Sequence, residues 1–334
     1  MSATHDGATP VLNVITGPTA AGKSAIAMEL ARRFNLAIVS ADSRQIYRGF
    51  DIGTAKPGVA ERAEIAHFGI DVLEPELRYS AHAWATDATG WMQQAIAARQ
   101  APVVVGGTGF YVRALVRPLA PAPTLDEERR VKLERWLAPQ NISVLQRWCA
   151  TLDPARAGLG RTQLLRAIET ALLSGKRLGE IHAEHEAAKS NARRPDFAHE
   201  REVGATGKRA DSPRVRYLVV DPGPPLADRI HLRVHEMIET GWTNEIEELM
   251  QTVPEDAPAW LASGYGVMRE YVRGQLTRAQ ATERVFIETR QYAKRQRTWC
   301  RHQLTEGTVT RISSIDPDAV DRAIQWLNGT ESRT

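Results

Sequence analysis

Along the first hundred residues, short unbroken apolar runs alternate with stretches whose apolar side chains recur every three or four positions. Val11-Leu12-Asn13-Val14-Ile15-Thr16 predicts a strand, and Lys23 to Phe34 a helix, with Ile26, Leu30 and Phe34 four apart. Leu36-Ala37-Ile38-Val39-Ser40 has the composition of a strand buried on both faces. Residues 84–99 read as a helix, and residues 102–105 as a third strand running into Gly106-Gly107. Near-continuous apolar strands that alternate with helices specify a parallel sheet covered on both sides.

The rhythm changes after Pro118-Leu119-Ala120-Pro121-Ala122-Pro123, a proline-rich boundary. From Leu125 to about Ala188 only helical patterns follow, among them 126–137 and 163–173, the latter stopped by Gly175. Residues 189–213 are polar, basic and short of large apolar groups, the composition of a mobile loop. Residues 215–220 return to a strand that should rejoin the sheet, and 226–240 and 279–299 are long helices. The expected fold class is α/β: a P-loop NTPase-like parallel sheet flanked by helices, with a smaller all-helical insertion domain. The core comprises 8–123 plus 214–314, the insertion 124–188 and the mobile basic loop 189–213. No internal repeat is visible.

The site chemistry begins at Gly17-Pro18-Thr19-Ala20-Ala21-Gly22-Lys23-Ser24, placed between strand and helix, which fits G-x-x-x-x-G-K-[ST]. Such a loop aims backbone N–H groups and a helix N-terminus at an anion. Lys23 adds a cation and Ser24 a hydroxyl for Mg²⁺, so a di- or triphosphate is expected there. Pro18 has no N–H to offer, and the Thr19 hydroxyl can face the ligand. A nucleotide hydrolase usually carries an Asp at the end of a later strand for Mg²⁺. Here the strand 102–105 ends in Gly106-Gly107-Thr108-Gly109 instead.

Asp42 follows the second strand, on the side of a parallel sheet where ligands gather. It fits a general base, a Mg²⁺ ligand or the N-cap of a short helix, and local pattern alone favours the cap. Arg229 and Arg233 lie four apart on one helix face, away from the apolar stripe Leu226, Ile230, Val234, Ile238. They suit a diphosphate clamp or an ordinary solvated basic face.

The chain has 334 residues, 43% of them apolar, and a net charge of +3. That is enough to fill a core, and no apolar run reaches membrane-spanning length. The N-terminus lacks a signal-peptide pattern, so a cytoplasmic location is the default expectation. Cys149 and Cys300 form no C-x-x-C pair, which argues against a zinc site and a disulfide framework. Positive charge gathers late: Arg290, Lys294, Arg295, Arg297 and Arg301 are interleaved with Tyr292 and Trp299. Cations mixed with aromatics on a helix suit RNA phosphates and stacking.

Together these segments resemble the tRNA dimethylallyltransferase (isopentenyltransferase) family. The matching stretches are the phosphate loop, Asp42-Ser43-Arg44-Gln45-Ile46-Tyr47, Asp51-Ile52-Gly53-Thr54-Ala55-Lys56-Pro57, Val105-Gly106-Gly107-Thr108-Gly109-Phe110-Tyr111 and Ala293-Lys294-Arg295-Gln296-Arg297-Thr298-Trp299. The resemblance implies transfer of a dimethylallyl group from its diphosphate to N6 of the adenosine 3′ of a tRNA anticodon. It implies catalytic roles for Asp42, Thr19 and Lys23, with Asp42 facing the amine. The loop Gly17 to Ser24, aided by Arg229 or Arg233, would hold the diphosphate, with Mg²⁺ at Ser24. Asp42, Ser43, Arg44, Gln45, Thr108, Arg130, the segment Thr162-Gln163-Leu164-Leu165-Arg166, and Arg290, Lys294, Arg295 and Arg297 would meet the anticodon stem-loop. A monomer is expected.

Three places depart from the family pattern: Thr162 to Arg166 matches it only at Leu164 and Arg166, Gly266 stands where a Lys or Arg is usual, and the basic loop from Lys189 to Pro213 is extra length. The rival readings are a small-molecule or nucleotide kinase, which shares the loop and sheet, and a non-catalytic RNA-binding nucleotide sensor.

Overall fold

The computed structural model describes residues 11–117, 123, 125–191 and 214–329. The chain divides into two compact units, Met1–Pro118 with Thr206–Thr334, and Leu119–Ala205. Most of the mobile loop expected at 189–213 lies outside the described residues.

The larger unit is built on a six-stranded sheet with the order β3-β2-β4-β1-β5-β6. The strands are β1 Val11–Thr16, β2 Leu36–Ser40, β3 His67–Phe68, β4 Ala101–Val105, β5 Arg214–Val220 and β6 Thr308–Ile312. Every pairing is parallel. The central strands β2 and β4 carry buried residues on both faces, which is why their sequences read as unbroken apolar runs. The edges β3 and β6 are short or largely exposed and had no such signature.

Helices α1 Lys23–Phe34, α2 Val59–Glu64, α3 Ala81–Ala97 and α4 Gly109–Val116 connect the first strands. After β5 come α9 Leu226–Glu239, α10 Trp242–Thr252, α11 Tyr265–Val272, α12 Arg278–His302 and α13 Ala319–Asn328. One apolar cluster covers the sheet through Ile15, Leu30, Ile38, Leu218 and Trp326. A second joins Phe50, Ile230, Trp242, Trp260 and Tyr265, and it fixes α9, α10 and α12 around the carboxyl ends of the strands.

The smaller unit is helical in its described residues: α5 Glu127–Leu137, α6 Ile142–Leu152, α7 Arg161–Ser174 and α8 Leu178–Asn191. It has its own core of Leu137, Leu145, Cys149, Leu164 and Ile168. Asp126 caps α5 by accepting the Arg129 N–H, so the helix begins one residue later than its pattern suggested. Cys149 and Cys300 are both buried and free. Among the described residues, no helix is long and apolar enough to cross a membrane.

Candidate active site

The phosphate loop leaves β1 in the middle of the sheet, between the tips of β4 and β5 and one strand away from β2. Gly17 and Gly22 both have positive φ, and a Cβ on Gly17 would overlap the Val220 carbonyl. Only glycine lets the loop turn this close to β5. Gly22 caps α1 without any side-chain hydrogen bond, so the first-turn N–H groups stay open to an anion.

Lys23 folds over this turn and donates to the Pro18 carbonyl at 2.7 Å. Burial pulls its pKa down to about 8, opposed by the charge of Asp42 and reinforced by Arg233. Burial also lowers the pKa of Arg233, and Asp42 again works in the opposite direction. Asp42, Lys23 and Arg233 therefore share one electrostatic environment. With Thr19 and Ser24 they line a cavity of about 420 Å³. Its deeper wall includes Val234, Met237, Trp242 and Val285, an apolar surface suited to a short hydrocarbon.

Asp42 satisfies the turn reading and leaves room for the chemical one. Its Oδ1 accepts the Arg44 N–H at 2.9 Å, two residues on. Its other oxygen has no protein partner among the described residues. Ser43 is anchored through its N–H to Thr108 Oγ1 at 3.0 Å, which joins the β2 and β4 tips. Arg44 is half-buried on the cavity wall.

The two arginines on α9 have separate roles. Arg229 Nε donates to the Ala20 carbonyl at 2.9 Å and so braces the loop. Arg233 points its charge into the cavity. Both also border a second recess of about 360 Å³ over the first turn of α1.

The segment 51–57 forms a side wall of the cavity. The Lys56 ammonium is buried between Asp51 and Asp71. Glu245 on α10 accepts the N–H groups of Asp51 and Ile52 at 3.0 and 2.6 Å, and the Tyr265 hydroxyl at 2.6 Å. Burial raises the pKa of Glu245.

The packing gives several of the expected RNA-contact residues partners within the protein. Gln45 spends its amide inside the protein, on Ser40 Oγ at 3.1 Å and on the Ala55 carbonyl at 3.0 Å. Leu164 is wholly enclosed in the core of the helical unit and cannot touch a ligand. The Gln163 side chain accepts the Gly160 N–H and caps α7, while Thr162 and Arg166 are exposed and Leu165 is half-buried. Arg130 pairs with Glu134 and Glu169. Arg297 grips Asp221 through two bonds of 2.8 and 2.5 Å and the Gly223 carbonyl at 2.6 Å, so it ties α12 to the end of β5. Arg290, Lys294 and Arg295 remain exposed, with Arg290 over the Phe286 ring and Arg295 over Tyr292. A side chain at Gly266 would meet open space, so the fold itself does not demand glycine there.

Sequence reasoning assigned no role to Gln296. This residue of α12 is buried, and it accepts the Thr19 N–H at 2.7 Å and donates to the Gly107 carbonyl at 3.0 Å. The strip after β4 is correspondingly bare. A Cβ on Gly106, Gly107 or Gly109 would overlap Ala41, Gln296 or Trp299 respectively. A lone glutamine inside a cationic helix carries no pattern that would mark it.

An open helix N-terminus, a buried lysine and a free carboxylate oxygen on one cavity define a class of enzyme: one that holds a phosphorylated substrate beside an acid–base group. The family model described as IPP transferase matches residues 45–303, and that described as isopentenyl transferase matches residues 10–68. The chain belongs to the IPP transferase family. It is 37% identical to a tRNA dimethylallyltransferase of Anaeromyxobacter sp. over 94% of this chain and 98% of that one. A protein of the same name from Deinococcus radiodurans is 34% identical over 89% and 92% of the two chains. The crystal structure of a tRNA isopentenylpyrophosphate transferase from Bacillus halodurans is 28% identical, covers 97% of this chain and 96% of its own, and superposes with a TM-score of 0.63. The kinase alternative is not favoured by these relationships.

Proposed function

We propose that this enzyme transfers a dimethylallyl group from dimethylallyl diphosphate to N6 of adenosine 37 in tRNA, releasing diphosphate. One observation carries the reading: Asp42, Lys23 and Arg233 line the same cavity, with an apolar wall beside them.

In this reaction the C1–O bond of the donor breaks and an N6–C1 bond forms. Negative charge grows on the departing oxygen. Lys23, Arg233 and the open N–H groups of α1 lie where that charge would be stabilised. The adenine amine is a poor nucleophile, because its lone pair is delocalised into the ring. The free oxygen of Asp42 takes the N6 proton and sharpens the attack. The apolar wall keeps water from an allylic carbon of cationic character.

The exposed Ser24 hydroxyl fits Mg²⁺, which favours few protein ligands and several oxygens from phosphate and water. Ser24 would hold the ion against the diphosphate, where it would add positive charge. The adenosine must leave its stack to reach the cavity. Arg290, Lys294 and Arg295, and Arg130, Thr162 and Arg166 of the helical unit, would take backbone phosphates of the anticodon stem-loop. The enzyme acts as a monomer in the cytoplasm.

The test is incubation of the protein with tRNA and dimethylallyl diphosphate, then mass analysis of the nucleosides. A gain of one C5 unit on adenosine is expected. An unmodified nucleoside pool, or phosphoryl transfer from ATP instead, refutes the reading.

A further inference from the structure

Helix α12 presents an inner seam distinct from its cationic surface. Tyr292 lines the cavity, and burial pushes its pKa up to about 12. One turn on, Gln296 bridges Thr19 and Gly107, at 2.7 and 3.0 Å. Trp299 packs where a Gly109 side chain would be, and Cys300 lies 3.9 Å from Thr16 Oγ1. The seam thus touches both loops that frame the cavity, the phosphate loop and the β4–α4 turn.

The bridge continues to the acid. The Thr108 N–H donates to the Ala41 carbonyl at 3.1 Å, and Thr108 Oγ1 accepts the Ser43 N–H at 3.0 Å. Asp42 lies between those two anchored residues. An unbroken path therefore runs from Thr19 through Gln296, Gly107 and Thr108 to the backbone on either side of Asp42. The Thr19 N–H is used in this path, so it is withdrawn from the anion cradle.

We propose that Gln296 is a positioning residue that sets the spacing between the diphosphate cradle and the Asp42 carboxylate. It touches neither reacting atom. Its amide supplies one acceptor and one donor, and both partners are backbone groups that no other side chain satisfies among the described residues. A carboxylate could not donate to Gly107, and a lysine could not accept from Thr19. The inference rests on the prenyl-transfer reading and adds a determinant of its geometry. Displacement of reacting groups by about 1 Å costs up to about 100-fold in rate.

The experiment compares wild type with Gln296→Met, Gly107→Ala and the double variant. Single-turnover transfer is measured alongside equilibrium binding of tRNA and of an unreactive saturated C5 diphosphate. Gln296→Met keeps the volume and removes both hydrogen bonds. Gly107→Ala pushes a methyl into the Gln296 amide. The expected result is a fall of about 10- to 100-fold in the transfer rate for each single variant. Both affinities should stay within about threefold, and the double variant should be no slower than the worse single one. Transfer within about threefold of wild type, a loss explained by weaker binding, or independent multiplicative losses would overturn the assignment. If Gln296→Met does not fold, Gly107→Ala decides by the same split between rate and affinity. A wild-type protein without transfer activity refutes the underlying function, a result distinct from normal activity in the variants.

Discussion

Lys23 donates to the Pro18 carbonyl across its own loop at 2.7 Å, and burial brings its pKa to about 8. Its ammonium is thus only partly populated in the mildly alkaline range. A diphosphate binds the protonated form, so affinity should be flat below about pH 8 and fall as pH rises above it. One unit above that pKa the loss approaches about tenfold. Titration calorimetry with the saturated C5 diphosphate between pH 7 and 9.5 checks this. Lys23→Met should bind more weakly and lose the pH dependence.

Asp42 can be separated into its two oxygens. Asp42→Asn keeps an acceptor for the Arg44 N–H but removes the proton acceptor. Single-turnover transfer should fall by about 100- to 10,000-fold. Binding of tRNA should change by only a few-fold. A variant that retains normal transfer would remove Asp42 from the role of base.

Arg297 and Lys294 should part company, although both stand in one basic run. Arg297→Ala removes the ion pair with Asp221 and the bond to Gly223. It should destabilise the fold by roughly 1–3 kcal/mol, because Asp221 loses its cationic partner and keeps only the Gly223 N–H. Lys294→Ala should leave the denaturation midpoint unchanged, weaken tRNA binding, and reduce the salt slope of log K by about 1. Urea melts and binding at several salt concentrations distinguish the two.

Glu245 ties the 51–57 wall through two backbone N–H groups and the Tyr265 hydroxyl. Glu245→Ala orphans three donors, among them the hydroxyl of buried Tyr265, and should cost roughly 1–3 kcal/mol. A carboxyl whose folded pKa lies above its unfolded value keeps its proton longer in the native state. Its contribution is full below the ordinary glutamate range and is lost as pH rises through the raised value. Burial raises the pKa of Glu245 in this way. Wild type should therefore lose stability relative to Glu245→Gln across that interval, as read by denaturant midpoints at successive pH values.

The parts legible in the sequence share a physical reason. Strands β1, β2, β4 and β5 lie inside the sheet, and the burial of their carboxyl halves on both faces demands mostly apolar runs there. Strand β6, Thr-Val-Thr-Arg-Ile, sits on an edge with most positions open to solvent, so it left no comparable trace. The phosphate loop was legible because its glycines and lysine are required at fixed spacing. Asp42 was placed by its position after β2, yet local pattern could not separate the turn from the chemistry, and the structure assigns its oxygens differently. The sequence of the basic helix shows its clustered cations but gives Gln296 no role. In three dimensions α12 has an outer face of exposed cations and an inner face of Tyr292, Gln296 and Cys300. Charge clustering reports the first face and is silent on the second. Leu164 was misplaced for a related reason: membership in a motif does not say whether a side chain faces solvent or core.

The bare strip Gly106, Gly107 and Gly109 is hemmed in by three neighbours: the backbone at Ala41 and, from α12, the amide of Gln296 and the indole of Trp299. A mutation there cannot be absorbed by relaxing one partner, since Gly106 answers to the backbone at Ala41 and Gly107 and Gly109 to two different side chains of α12. Evolutionary or laboratory drift at Gly107 and Gly109 must therefore proceed through paired changes, with room first opened on α12, while Gly106 faces backbone that no side-chain change relieves. Libraries that diversify the turn while holding α12 constant should return almost nothing but the parent.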